Sequence, residues 1–167
     1  MQLYQVQKSN SATIARWLAD EPNGQWLDFG GSTLTPLAIQ VMAQKPAHCL
    51  RLFSAEGTDE PIGIVALSEI HQLFKTAQLW YVLGNKLYAG RGYTSRAVSM
   101  MLRLAFKELD LRCINAWTVE TNTQSISVLK ANGFRQAGKL RKSHEINGCV
   151  YDRLLFDLLP SEFGGAS

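Results

Sequence analysis

The sequence predicts a mixed α/β fold, a mostly antiparallel central sheet flanked by helices on both faces. Three observations predict it. Strand-like and helix-like runs follow one another in the order β-α-α-β-β-β-α-β-α-β. The three mid-chain strands succeed each other with only polar turns between them, as in a meander. A length of 167 residues and a 46% hydrophobic composition supply the core of one ordinary domain. We read residues 1–160 as that domain and 161–167, ending in Gly-Gly-Ala-Ser, as a flexible tail.

In chain order, LYQVQ reads as the first strand, and SNSATIARWLAD as a helix with Ile14, Trp17 and Leu18 on its inner face. Pro22-Asn23-Gly24 and Gly30-Gly31 mark loops around Trp26 and Phe29. Thr35 caps a helix opened by Pro36, with Leu37, Val41 and Met42 as its apolar stripe. CLRLFS and IGIVAL are strands joined by the polar turn AEGTDEP, and AQLWYVLG is a third strand after the loop HQLFK. From Ser95 to Leu109, Ala97, Met101, Ala105 and Leu109 recur every fourth residue, with Arg96, Arg103 and Lys107 on the other side. CINAWTV is a strand, TQSISVLKAN a helix stopped by Asn132-Gly133, and VYDRLLFDL the last strand.

The formal net charge of +3 is too mild for a nucleic-acid binder, though it suits an anionic ligand. Cys49, Cys113 and Cys149 lie far apart with no CxxC pair, so neither a disulfide framework nor a zinc site is indicated; buried free thiols of a reducing cytoplasm are expected. The N-terminus lacks the apolar core of a signal peptide, and no stretch approaches the ~20 apolar residues that span a bilayer. No metal, nucleic-acid or membrane partner is expected.

The segment LYAGRGYTSRAV, positions 87–98, joins a strand to a helix. A helix start leaves about four backbone N–H groups unpaired and carries about half a positive charge. Glycines just before it let a phosphate approach the backbone closely. Gly90, Arg91, Gly92, Tyr93 and Thr94 fit that description, Arg91 adding a charge, and a pyrophosphate is the natural occupant. A Walker loop is absent, and a dinucleotide turn would need a glycine where Ser95 stands. A plain chain reversal is the alternative.

From about Pro61 to Leu158 the chain resembles the GCN5-related N-acetyltransferase (GNAT) family, most of all its ribosomal-protein N-terminal acetyltransferase branch. The resemblance rests on the glycine junction together with Asn122-x-x-Ser125 leading to Asn132-Gly133-Phe134 about 30 residues on. It implies the GNAT-like sheet and acetyl-CoA as cosubstrate. By the same likeness the pyrophosphate sits on the amides of Gly90 to Thr94, and the pantetheine arm runs along Trp80 to Leu83. Asn122 and Ser125 match positions that contact the arm or the departing thiol; a helix cap and a first-turn hydrogen bond are their plainer readings. Relatives often form homodimers. Three departures stand out: Leu87 where the family often has Gln or Arg, Leu129 where many relatives have a tyrosine acid, and Gln78 where close relatives have Glu.

An amine must be neutral to attack a thioester, which asks little of an α-amino group with a pKa near 8 and more of an alkyl ammonium near 10.4. The expected acceptor is therefore a small-molecule or peptide amine: a protein N-terminus, an amino sugar or another small amine. A backbone N–H near Val82 or Leu83 is the expected oxyanion donor. With the family's tyrosine acid missing, Ser125 or water is left as the proton donor, and Glu69 and His71 are the candidate bases, directly or through water. His144 and Glu145, in the loop before the last strand, are placed near the acceptor, with Asp152 as an inward carboxylate. Trp17, Trp26 and Phe29 either wall a pocket or fill the core. Arg135, Lys139, Arg141 and Lys142 form a basic loop. Two rivals remain open: a degenerate acetyl-CoA sensor without turnover, and a dinucleotide-binding oxidoreductase.

Overall fold

The computed structural model describes residues 1–164. The chain runs β1 (Leu3–Gln5), α1 (Ser11–Ala19), α2 (Glu21–Gly24), α3 (Pro36–Gln44), β2 (Cys49–Ser54), β3 (Pro61–His71), β4 (Thr76–Leu83) and α4 (Tyr93–Lys107). It closes with β5 (Cys113–Val119), α5 (Thr123–Ala131), β6 (Arg135–Ile146) and β7 (Cys149–Leu158). The seven strands form one sheet in the order β1-β2-β3-β4-β5-β7-β6, antiparallel throughout except between β4 and β5. The mid-chain meander and the helices on both faces are as the sequence predicts. No helix among the described residues is long and apolar enough to cross a membrane.

β3 shows why both faces need cover. Its centre, Ile62 to Leu67, is apolar wherever it has a side chain, and the pleat sends successive residues to opposite sides. Ile64 and Ala66 join Ile14, Trp17, Leu18 and Ile39 from α1 and α3. Val65 and Leu67 join Met101, Leu102 and Ala105 of α4. Ala97, Met101 and Ala105 are fully buried, whereas Leu109 lies beyond the helix and is exposed.

Several elements depart from expectation. Thr35 does cap α3, accepting from the Ala38 N–H at 3.1 Å, but Ile39 is the buried residue. Leu37 and Val41 sit about 200° round the helix from Ile39, since each residue turns about 100°, and they face solvent. Glu21–Gly24, expected as loop, is a single helical turn with Pro22 inside it. The expected order omits β6, and Arg135, Lys139, Arg141, Lys142, His144 and Glu145 are strand residues, not loop residues. β6 is an edge strand, mostly exposed, so it lacks the apolar alternation that reveals a strand. Asn147-Gly148 turns it into β7 with positive φ at both residues (50° and 78°), as a two-residue hairpin requires. Cys149, expected buried, is exposed just past that turn; Cys49 and Cys113 are half-buried. Ordered structure continues past residue 160. Pro160–Glu162 forms a short 3₁₀ turn, Glu162 pairs with Arg135 at 2.9 Å, and the Phe163 ring packs 5.7 Å from that of Phe106. Residues 165–167 of the expected tail lie outside the described residues.

Gly84 follows β4 beneath Trp17, where an added Cβ would lie 2.1 Å from the indole. Gly84→Ala therefore forces Trp17 out of its packing, at a cost of about 1–3 kcal/mol. Urea denaturation should show a lower midpoint with an unchanged slope.

Candidate functional site: a cleft between two parting strands

β4 and β5 pair only where Thr76–Gln78 meets Cys113–Asn115. Past that point each strand follows its outer neighbour. β4 continues to Leu83 against β3, and β5 continues to Val119 against β7. The strands part, leaving a cleft of about 450 Å³. One wall is β4 from Leu79 to Leu83, paired with β3 on its far side and without a strand partner on the side of the cleft; the other is Ala116 to Thr118 of β5 with Asn122, Ser125 and Leu129 around α5.

The glycine bend stands at the mouth. Gly90 and Gly92 hold φ of 73° and 75°, and Gly92 is the N-cap of α4 with no side-chain cap. Among the described residues, the backbone N–H groups from Gly90 to Ser95 have no acceptor; Arg96 is the first to find one, on Gly92 O at 3.0 Å. A Cβ placed on Gly90 or Gly92 would meet nothing within 4 Å, so the bend is open and not packed against neighbours. Six consecutive donors at a helix start form a ready anion cradle, and a diphosphate fits its charge and chemistry. Gly90, Gly92, Tyr93 and Thr94 line the cleft. Arg91 does not: it is exposed, its guanidinium 5.6 Å from the Tyr88 ring centroid.

Asn122 is both a cap and a wall residue. Its Oδ1 accepts from the Ser125 N–H at 3.1 Å, which fixes the first turn of α5 at the cleft. Ser125 Oγ lies 2.8 Å from the hydroxyl of Tyr81, a β4 residue that sequence reading passed over. Val82 and Leu83 line the cleft. Lys86, also missed, donates to Leu83 O at 2.8 Å and to Asn23 Oδ1, and burial draws its pKa below the usual lysine value.

The other end is walled by Trp26, Asp28, Trp80 and Trp117. Asp28 is the cleft's only carboxylate among the described residues, and Arg153 holds it at 2.7 Å. The Arg153 guanidinium lies 4.2 Å from the Trp117 ring centroid and donates to His144 Nδ1 from Nη2 at 3.1 Å. His144 Nε2 sits 2.7 Å from Gln25 O. A carbonyl only accepts and a guanidinium only donates, so this geometry selects a neutral imidazole with its hydrogen on Nε2. His144 thus clasps the loop after α2 to the β6–β7 hairpin. The loop after α2 and the β6–β7 hairpin, far apart in sequence, meet here, which is why Asp28 and Arg153 went unnoticed while Trp26 was read as a pocket or core residue and His144 as a loop residue.

The candidate bases fall elsewhere. Glu69 and His71 are exposed at the far end of β3 and do not line the cleft; His71 stacks on Phe74 at 4.4 Å. Gln78 lines the closed end, its amide 3.4 Å from Asn115. Trp17 belongs to the core, Trp26 to the cleft, and Phe29 packs edge-on against Trp80 at 5.4 Å. Asp152 pairs with Lys139 at 2.7 Å and accepts from the Lys142 N–H at 2.8 Å, a partnered strand carboxylate. Glu145 is exposed on β6.

The Arg153 hydrogen bond, helped by the Gly30 N–H, holds the Asp28 carboxyl below the usual aspartate range. A depressed carboxylate contributes stability above its unfolded pKa and loses it as pH falls through the folded value, so the clasp weakens below about pH 4. Arg153→Met should move the Asp28 titration upward by NMR; an unmoved titration would show the pair to be silent.

An acetyltransferase (GNAT) domain profile matches residues 2–135. An uncharacterized N-acetyltransferase of Bacillus licheniformis is 34% identical over 108 residues, 65% of this chain and 60% of that protein. The chain spans 56–60% of the length of the first curated relatives it matches. Among solved structures, the spermidine N-acetyltransferase of Vibrio cholerae, in complex with CoA and spermine, superposes with a TM-score of 0.83 at 18% identity over 96% of both chains. The ribosomal-protein-S5-alanine acetyltransferase of Vibrio fischeri gives 0.79 at 24% identity, covering 97% of this chain and 94% of that one. These last two are likenesses of fold. Because the matched profile takes in the parting strands, the glycine bend and α5 together, the chain belongs to the GNAT family of acetyltransferases.

Proposed function

We propose that the chain is an acetyl-CoA-dependent N-acetyltransferase that moves an acetyl group directly onto a primary amine in a ternary complex. One observation carries the reading: six unused backbone donors stand at the end of a cleft whose wall is a free strand edge. The donors suit the pyrophosphate of coenzyme A, the unpaired edge of β4 suits the amides of its pantetheine arm, and the thioester end then reaches Ser125. A free N–H of β4 near Val82 or Leu83 is the oxyanion donor, a contact typically worth ~3 kcal/mol. No metal takes part in this scheme. We place the enzyme in the cytoplasm, where its three free thiols are at home.

The acceptor follows from the charge of the cleft. Asp28 is already matched by Arg153, so it is a weak base and a poor partner for a second ammonium. A protein N-terminus, an amino sugar or a small monoamine fits better than a polyamine, since an α-amino group near pKa 8 needs little help to lose its proton. The same lack of a free base favours a second reading, a module that binds acetyl-CoA without turning it over. Thiol release separates the two: appearance of free coenzyme A with an N-terminal peptide or amino sugar supports the enzyme, and tight binding without release supports the sensor.

Binding itself is tested by thermal shift. Coenzyme A at 100 times its Kd adds ~2.7 kcal/mol of stability. Gly92→Val places a β-branched residue at a φ of 75° and should remove that shift while the circular dichroism spectrum is kept. A shift that survives in Gly92→Val would put the anion elsewhere.

A further inference from the structure

Tyr81 reaches from β4 to α5 inside the cleft, and its contacts are unusual. The phenol donates to Ser125 O at 3.2 Å and lies 2.8 Å from Ser125 Oγ. Ser127, two residues on, spends its hydroxyl on Thr123 O at 2.9 Å, the common habit of a helical serine. Ser125 does not. Its N–H is taken by Asn122 Oδ1 at 3.1 Å, and its oxygen faces Tyr81. The whole residue is thus pinned on two sides while lining the cleft. One turn further along α5 stands Leu129, buried and apolar, able to donate nothing.

We propose that Tyr81 positions the Ser125 hydroxyl as the hydrogen-bond donor to the sulfur that leaves acetyl-CoA. This rests on the acetyltransferase reading. When the Tyr81 O–H points at Ser125 O, the Ser125 O–H is free to donate back to Tyr81. When the Tyr81 O–H swings to Ser125 Oγ, it occupies a lone pair and turns the Ser125 O–H into the cleft. In the reaction the nitrogen–carbonyl bond forms and the carbon–sulfur bond breaks, the sulfur leaving with the bonding pair. The nitrogen sheds one proton and the sulfur gains one, so amine and thioester become amide and thiol while both hydroxyls end as they began. Burial pushes the Tyr81 phenol well above its ordinary value, against a smaller lowering by Ser125, so it stays neutral; it is a positioning residue and not the acid. A donor to a thiolate favours the charged form of the sulfur.

The test reads the thiol itself. NMR titration of coenzyme A labelled at the methylene beside sulfur, bound to the full chain, should give a thiol pKa about one unit higher in Tyr81→Phe than in the parent protein. Ser125→Ala should match it, and the double variant should be no worse than Ser125→Ala alone. Turnover with acetyl-CoA should fall about tenfold in Tyr81→Phe with the coenzyme A Kd unchanged. A bound-thiol pKa in Tyr81→Phe identical to the parent's overturns the proposal, whatever Ser125→Ala does, and leaves the acetyltransferase reading intact. Failure of the parent protein to bind coenzyme A at all overturns both.

Discussion

The structure turns on a pairing that stops. β4 and β5 share three residues of parallel ladder and then separate, because each is bound more extensively on its other side. An open edge inside a sheet exposes unpaired peptide groups, and a fold tolerates that where something else can take the bonds. Here the gap lies between two apolar layers, one from α1 and α3 and one from α4 and α5, which keep the parted strands from collapsing together. The glycine bend stands at the mouth because α4 must carry the chain from β4 across to β5, the only parallel step in the sheet. Cleft and anion cradle are thus two results of one crossover.

The two ends of the cleft differ in chemistry. One offers amides and hydroxyls: the bend, Asn122, and the Tyr81–Ser125 pair that joins β4 to α5. The opposite end is aromatic, with its one carboxylate already neutralised. Arg153 is what unites that end, since it touches Asp28, His144 and Trp117 at once. Its guanidinium spans an ion pair, a neutral imidazole and an indole face, a set that lysine could not reproduce.

Much of this was legible beforehand, and the reasons are physical. Strands buried on both faces, such as β3, announce themselves as unbroken apolar runs; a helix as long as α4 repeats its period often enough to be unmistakable. The bend was legible because glycine there answers a conformational demand local in sequence. What stayed hidden was made by long-range contact. Tyr81 meets Ser125 across 44 residues, and Asp28 meets Arg153 across 125. No local pattern marks such pairs. Leu37 and Val41 misled for the converse reason: a genuine stripe on α3 faces solvent, because Ile39 on the opposite face took the core.

β6 escaped notice for want of apolar residues, and that same poverty has a use. It is the outermost strand, with one row of peptide groups turned away from the sheet. Arg135, Lys139, Arg141 and Lys142 crowd its length, and two breaks of register, near Gly138 and between Leu140 and His144, bend it out of line. A kinked, cationic border of this kind is a poor template for another sheet to grow upon, so the molecule guards itself against fibril-like stacking with the very residues that disguise the strand.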